Sequence, residues 1–227
     1  MGHMPNSLAA APARNVLDRL FAAAEQGDPP LLAQLFGSHG EKLGTVTARE
    51  QAELFGELYI PISRDCGQLL YSLVRAGRPE TVVEFGASFG IATIHLAAAV
   101  RDNGTGKVIS TELNPAKAQR ARDNLAEAGL SDVAEVVTGD AFETLAALDG
   151  PVGFVLLDGW KNLYLDVLKL IEPRLTPGAM VVADDTEAAS FTTQLAGYLG
   201  YVRDPASGYV SVTFPEGDGV EVSCRAA

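Results

Sequence analysis

Two apolar runs that end abruptly in carboxylates constrain the fold of this chain more than any other feature. One run, FVLLD, ends at Asp158, and the other, MVVADD, ends at Asp184 and Asp185. A strand buried on both faces is continuously aliphatic, and charge returns only where the strand leaves the sheet. A helix-period stretch closed by Pro and Gly separates the runs, which predicts a β-α-β unit with parallel strands about 4.8 Å apart. The carboxylates should therefore meet at the carboxyl edge of the sheet, where three acidic groups favour a bound cation.

The same alternation of strand and helix continues from Pro79 almost to the end of the chain. Its pattern predicts strands at TVVEF, KVISTE, AEVVTG, FVLLD and MVVAD, with helices from Ile91, Ala116, Phe142, Leu163 and Glu187. Two alternating runs, YVSVTF and VEVSCR, flank a Gly-containing turn and predict an antiparallel hairpin. We therefore expect an α/β fold: a Rossmann-like, doubly wound, seven-stranded sheet, mostly parallel, with a C-terminal antiparallel hairpin and an N-terminal helical cap.

The first third of the chain is predicted to be helical. Apolar residues recur at three- and four-residue spacing, Pro29-Pro30 and Gly37–Gly44 are expected to break the run, and a further helix should begin after Ser63 and stop at Gly77. We expect a single domain over 1–227, with a cap at 5–77, a core at 78–227 and a cloning remnant at 1–4.

Composition excludes several classes of function. The net charge of −12 argues against nucleic-acid binding, which needs clustered Lys and Arg. No uncharged apolar stretch reaches the roughly 18 residues of a membrane span, and no secretory signal is visible. The two cysteines are too few and too scattered for a disulfide framework, which fits a cytoplasmic protein.

The tips of the first three strands predict the cofactor. Glu84 and the loop Gly86-Ala87-Ser88-Phe89-Gly90 follow the first strand, and glycines there let a ligand approach the backbone and the next helix N-terminus. This loop lacks the G-x-G-x-x-G pattern of dinucleotide binders. Glu112 ends the second strand, where a carboxylate commonly accepts ribose hydroxyls, and Asp140-Ala141 follow the third. Acidic tips suit a nucleoside without phosphates, and S-adenosylmethionine is such a ligand.

The order EFGASFG, STELNP, TGDA, LLDGWKNLY and VVADDT resembles the metal-dependent O-methyltransferases of the catechol and caffeoyl-CoA type. The resemblance runs from about Tyr59 to the C-terminus. It implies that Asp158, Asp184 and Asp185 bind Mg²⁺, with Mn²⁺ or Ca²⁺ as alternatives, and that Lys161 is the general base. For Lys161 to accept a proton, its pKa should be lowered by burial and by the nearby cation.

The resemblance also implies contacts to S-adenosylmethionine. Glu84 and the Gly86–Gly90 loop would surround its methionine end, and Glu112 would bind its ribose. Asp140 and Ala141 would contact its adenine, while Asp158 and Trp160 would lie beside the cofactor or the acceptor ring. A segment containing Ile62 and Ser63 would run close to the methyl donor.

Three positions depart from the family pattern. Asp185 stands where Asn is more common, so the three carboxylates exceed the charge of a divalent cation. Gly159 replaces a bulky ring, which predicts a wider pocket. Ala92 replaces a hydroxyl that helps bind the methionine carboxylate, a role that Thr93 or backbone amides could take over.

Several interpretations remain open at this stage. The favoured one is a metal-dependent O-methyltransferase for a small hydroxy-aromatic acceptor, acting as a homodimer, with no nucleic-acid or membrane partner. The alternatives are a metal-independent methyltransferase with another acceptor and an NAD-type binding protein. Asp184 and Asp185 could also simply precede and cap the next helix. His95 is expected to be a core or surface histidine rather than a catalytic one, and His39 is expected to lie in a loop.

Overall fold

A computed structural model describes residues 6–39 and 46–226, with His39 described by its backbone only. The proposed cloning remnant at residues 1–4 and most of the glycine-containing break at 37–44 lie outside these residues. The helices are α1 Ala11–His39, α2 Ala48–Leu54, α3 Arg64–Gly77, α4 Ile91–Asn103, α5 Pro115–Glu127, α6 Ala141–Thr144, α7 Tyr164–Ile171 and α8 Thr192–Arg203. The strands are β1 Thr81–Phe85, β2 Lys107–Glu112, β3 Ala134–Thr138, β4 Val152–Leu157, β5 Leu175–Ala183, β6 Tyr209–Phe214 and β7 Val220–Arg225.

The seven strands form one sheet in the order β3-β2-β1-β4-β5-β7-β6. The five strands from β3 to β5 are parallel, and β7 pairs antiparallel with both β5 and β6. The predicted fold class is therefore confirmed. Strand order reverses between β1 and β4, so the loops after these two strands diverge and leave a crevice at the carboxyl edge.

Helices cover both faces of the sheet. Buried residues of α1, α3, α4 and α5 pack on one face, and those of α6, α7 and α8 pack on the other. Strand β1 is buried along its whole length, including its polar residues Thr81 and Glu84. No helix of the described residues is both long and apolar enough to cross a membrane.

The predicted break at Pro29-Pro30 is wrong, because α1 continues through both prolines to His39. Each proline removes one helical N–H bond, so local propensity disfavours the helix here. Burial of Phe21 and Ala24 before the prolines and of Leu35 after them holds the helix together across this point. Tertiary packing has overridden the local signal.

Two other predicted helix ends also differ. Helix α3 includes Gly77, and the left-handed residue that terminates it is Arg78, at φ 47°. The helix predicted from Glu187 begins only at Thr192, after a short 3-10 turn at Ala189–Phe191. The residues between β5 and this turn are hydrogen-bonded to the β6–β7 hairpin instead of forming a helix. The N–H groups of Thr186 and Glu187 donate to the carbonyls of Gly219 and Asp218.

Candidate functional site

Three carboxylates meet at the carboxyl edge of the sheet, as the two apolar runs predict. The backbone ladder continues one residue past β4 and β5, because the N–H of Asp158 donates to the Phe85 carbonyl and that of Asp184 to the Leu157 carbonyl. Oxygen atoms of Asp158, Asp184 and Asp185 all lie within 4.8 Å of one another. Strand pairing therefore fixes the backbone of this cluster before any ligand is considered.

The turn after β5 brings the third carboxylate into place. Asp185 adopts a left-handed conformation, with φ 59°, which Asp and Asn tolerate better than most residues. The alternative in which Asp184 or Asp185 caps the next helix is wrong, since that helix begins at Thr192 and the preceding 3-10 turn is flanked by Ala188.

Lys161 lies against the carboxylates and is almost completely buried. Its Nζ is 2.9 Å from Asp185 Oδ2 and 3.6 Å from Asp158 Oδ1. It also donates a hydrogen bond of 2.7 Å to Tyr164 Oη, which in turn donates to the Asp184 carbonyl at 3.3 Å. The 3-10 turn that begins at Lys161 places Lys161 and Tyr164 three residues apart on one side. No role for Tyr164 followed from the sequence, although the sequence places it three residues after Lys161.

Burial and mutual repulsion disturb the pKa values of these carboxylates. Burial raises the pKa of Asp158 well above its usual range, with Lys161 acting in the opposite direction. Burial, reinforced by the charge of Asp185, raises the pKa of Asp184 to about 6. Three carboxylates and one ammonium leave a net charge of −2 in a desolvated cluster, and hard oxygen donors are the ligands that Mg²⁺ and Ca²⁺ prefer. The residues present therefore fit a divalent cation.

The expected lowering of the Lys161 pKa is not found with the protein's own charges. Burial lowers this pKa, but Tyr164 and the surrounding carboxylates outweigh burial and raise it well above its usual value. The expectation depended on a neighbouring cation, whereas the protein alone supplies neighbouring anions.

The loop after β1 is shaped by residues with positive φ. Gly86 lies at φ 100°, and a Cβ there would stand 2.6 Å from the Asp158 carbonyl oxygen. Ser88 at φ 46° and Gly90 at φ 87° complete the turn into α4. The N–H groups of Gly86 and Ala87 donate to the Thr111 carbonyl, which ties the loop to β2. The glycine loop thus runs directly against the backbone that carries Asp158.

Glu112 is oriented by two backbone donors at the tip of β2. Its carboxylate accepts one bond of 2.8 Å from the N–H of Ser88 and another of 2.8 Å from the N–H of Asn114. Burial raises the pKa of Glu112, and the nearby Lys117 ammonium acts in the opposite direction. Lys117, which sequence reasoning missed, is itself buried and donates to Ser88 Oγ at 3.3 Å.

Glu84 is fully buried beneath the loop. One carboxylate oxygen accepts bonds from the hydroxyls of Thr93, at 2.6 Å, and Ser110. The other oxygen, Oε1, has no hydrogen-bond partner among the described residues. Burial raises the pKa of this carboxyl to about 7. Because the Thr93 hydroxyl is used by Glu84, it does not replace the hydroxyl that Ala92 lacks.

The remaining predicted residues lie at other points of this edge. Asp140 is exposed and caps α6 by accepting the N–H of Phe142 at 2.9 Å, and Ala141 is the first residue of that helix. Trp160 packs edge-to-face on Phe55, with ring centroids 5.4 Å apart, so it joins the β4 loop to the N-terminal region. The cofactor roles of these residues stay predictions.

The wider pocket expected at Gly159 is not present. A Cβ at Gly159 would stand 2.5 Å from Cε1 of Phe85, so the Phe85 ring already occupies that space. His95 is structural, as expected: its Nδ1 contacts the Ile91 carbonyl, and burial lowers its pKa to about 4. The loop predicted at His39 is wrong, because His39 is the last residue of α1; its side chain lies outside the described part of the chain.

A narrow cleft joins the glycine loop to the carboxylate cluster. Asp158 lines it together with Ala87 and Ser88 on one side and the segment Tyr59–Ile62 on the other. Asp158 is thus shared between this small cleft, of about 10 Å³, and the carboxylate cluster.

Comparison with known proteins agrees with this geometry. Residues 83–186 match a protein family described as a methyltransferase domain. The catechol O-methyltransferase of Mycobacterium tuberculosis is 32% identical over 167 residues, which cover 71% of this chain and 74% of that enzyme. The chain belongs to the S-adenosylmethionine-dependent O-methyltransferases of the catechol type. This result decides against the NAD-binding alternative. The chain spans 58% and 65% of the length of two further catechol O-methyltransferases that it matches.

Solved structures show the same fold. A cofactor-bound protein from MTB, Rv0187, superimposes with a TM-score of 0.67 at 26% identity, over 98% of this chain and 99% of that one. The O-methyltransferase TomG from Streptomyces achromogenes, solved with its methyl donor, superimposes with a TM-score of 0.68 at 22% identity, over 84% and 96%.

Proposed function

We propose that this O-methyltransferase moves the methyl group of S-adenosylmethionine to a hydroxyl of a small catechol-like or phenolic acceptor, with a divalent metal and Lys161 as base. The observation that carries the proposal is the carboxylate cluster, whose Asp158 also lines the cofactor cleft. The related enzymes from Mycobacterium tuberculosis and Niastella koreensis are catechol O-methyltransferases, which supports an acceptor with adjacent hydroxyls.

Asp158, Asp184 and Asp185 would hold the metal, and the other predicted site residues would hold the cofactor. Bound there, a divalent cation would supply a hard Lewis acid for two adjacent oxygens of the acceptor. The cofactor contacts would come from Ala87, Ser88 and Asp158, which line the cleft, and from the other residues predicted at this edge of the sheet: Glu84, Gly86, Gly90, Glu112, Asp140, Ala141 and Trp160.

Lys161 would remove the proton of the attacking hydroxyl. The carboxylates that help to raise its pKa are the same groups that would bind the metal, so neutralising them would leave burial, which lowers the pKa and is the largest single influence, opposed by Tyr164. Tyr164 accepts a hydrogen bond from Lys161 Nζ and so fixes its direction. Because transfer from a sulfonium is an in-line displacement, such positioning contributes much of the rate.

Methyl transfer to caffeic acid tests the proposal. We expect methylated product from S-adenosylmethionine in the presence of Mg²⁺, and loss of product when EDTA is added. The Lys161→Met variant should still bind S-adenosylhomocysteine but lose turnover, since the cofactor cleft is unchanged. Product formation that persists in EDTA would instead support the metal-independent alternative, with the acidic cluster in a structural role.

A further inference from the structure

The segment Tyr59–Ile62, here called the strap, forms one wall of the cofactor cleft. It lies opposite Ala87 and Ser88 of the glycine loop and reaches Asp158. Ile60 within it has φ 42°, a conformation that is a true outlier for a β-branched residue. Such strain persists only where surrounding contacts impose it, and it is concentrated at ligand sites.

Asp28 of α1 imposes this conformation from outside the cleft. Its Oδ1 accepts the N–H of Tyr59 at 2.9 Å, and its Oδ2 accepts the N–H of Ile60 at 2.8 Å. The side chain is buried, with a relative exposure of 6%. Hydrogen bonds to a carboxylate are roughly twice as strong as neutral ones, and here both oxygens hold consecutive amides of the strap.

The glycine loop holds the strap from the opposite side. Ser88 Oγ donates to the Tyr59 carbonyl at 2.9 Å, and the Tyr59 ring stacks on Phe89 with centroids 4.1 Å apart. The same Ser88 donates its N–H to Glu112, the predicted ribose ligand. The strap, the glycine loop and the tip of β2 are therefore linked in one hydrogen-bonded chain that begins at Asp28.

We propose that Asp28 is a positioning residue for the methyl donor, which it does not contact. By holding Tyr59 and Ile60, its carboxylate fixes the cleft wall before the cofactor binds, so that binding does not have to order this segment. Without it, Ile60 relaxes out of its strained conformation and the strap no longer faces Ser88. The inference rests on the proposed binding of S-adenosylmethionine in this cleft.

The Asp28→Asn variant tests this role. It keeps the size of the side chain but turns an amide NH₂ toward one of the two strap N–H groups, so one bond is lost. We expect the Kd for S-adenosylhomocysteine, measured by calorimetry, to rise at least about tenfold, the effect of losing one hydrogen bond to a charged group. In turnover assays the KM for S-adenosylmethionine should rise more than kcat falls.

Asp102→Asn is the matched control. Asp102 also accepts bonds from a backbone N–H and from hydroxyls, those of Ser7 and Tyr71, but it does so away from the cleft. The Asp102→Asn variant should have a lower melting temperature and an unchanged Kd for S-adenosylhomocysteine. Unchanged affinity in Asp28→Asn, or an equal rise in Asp102→Asn, overturns the inference. Wild-type protein that fails to bind S-adenosylhomocysteine would instead contradict the proposed function.

Amide hydrogen exchange of the wild-type protein gives a second test that requires no variant. In the protein without cofactor, the amides of Tyr59 and Ile60 should already be protected, because Asp28 accepts both. Exchange at the rate of unprotected amides, with protection only after S-adenosylhomocysteine is added, would show that the cofactor orders the strap and would overturn the inference.

Discussion

At the scale of single residues, the three carboxylates of the cluster are not equivalent. Asp158 and Asp184 directly follow strands and are held by ladder hydrogen bonds to their neighbours. Asp185 lies in a left-handed turn and faces Lys161 Nζ at 2.9 Å. Asn adopts this backbone conformation readily, and it retains one oxygen that can bind a metal.

Asp184→Asn and Asp185→Asn should therefore differ. We expect Asp184→Asn to weaken Mg²⁺ binding by about tenfold or more, because mutation of residues that only support metal ligands already weakens metal binding by about 10–100-fold. Asp185→Asn should leave activity largely intact, because Asn suits the left-handed backbone at this position, is the more common residue there in the family that the sequence resembles, and keeps one oxygen. Mg²⁺ titration of methyl transfer measures both, and equal losses in the two variants would contradict this assignment.

At the scale of elements, the site depends on close contact between the loop after β1 and the end of β4. Gly86 allows this contact, since any Cβ would collide with the Asp158 carbonyl. The contact follows from strand order: β1 and β4 are parallel neighbours, with Phe85 paired to Leu157. One backbone approach therefore places the glycine loop beside Asp158, the first of the proposed metal ligands.

Gly86→Ala should both destabilise the fold and weaken cofactor binding. Strain at positive φ costs about 1–3 kcal/mol, and the collision adds to it, so we expect the melting temperature to fall by about 5–10 °C. Gly104→Ala is the control, because Gly104 also has positive φ, at 72°, but nothing lies within 4 Å of its Cβ position. Its melting temperature should fall by only about 2–4 °C, with unchanged affinity for S-adenosylhomocysteine. Equal effects of the two variants on affinity would argue against the contact.

At the scale of the whole molecule, this acidic protein gathers three partly buried carboxylates at its candidate site. The net charge is −12, and the cluster places carboxylates where burial raises the pKa of Asp184 to about 6. A raised pKa means that the folded protein retains a proton that the unfolded chain releases. This contribution to the free energy of unfolding is complete below about pH 4 and is lost as the pH rises through the folded pKa.

Mg²⁺ should restore the stability that is lost above the folded pKa of Asp184, because it binds ionised carboxylates. We expect Mg²⁺ at about a hundred times its Kd to raise the melting temperature by about 5–10 °C at pH 8, and by clearly less at pH 5, where protons compete for Asp184. Scanning calorimetry in Mg²⁺ and in EDTA, with NaCl at matched ionic strength, measures the difference. An equal increase at both pH values, or the same increase in Asp184→Asn, would contradict a metal site at this cluster. The expected homodimer remains a prediction.

Much of this arrangement could be predicted because its signals are local. An aliphatic run that ends in a carboxylate predicts a buried strand and marks the residue at which that strand leaves the sheet. Asp158, Asp184 and Glu112 could therefore be placed at one edge of the sheet from the sequence. Parallel pairing then brings those ends together whatever the intervening loops do. The fold class followed from the same alternation, whereas the order of the strands was given only by the structure.

Only the tertiary structure decided the features that depend on distant packing. Helix α1 passes through Pro29-Pro30 because buried contacts outweigh propensity, and the Phe85 ring fills the space that Gly159 leaves open. Asp28 meets the strap 31 residues away, and the sign of the Lys161 pKa shift depends on which charges surround it. Periodicity encodes which face of an element is buried, whereas partners across the core, and the electrostatics they create, exist only once the chain has packed.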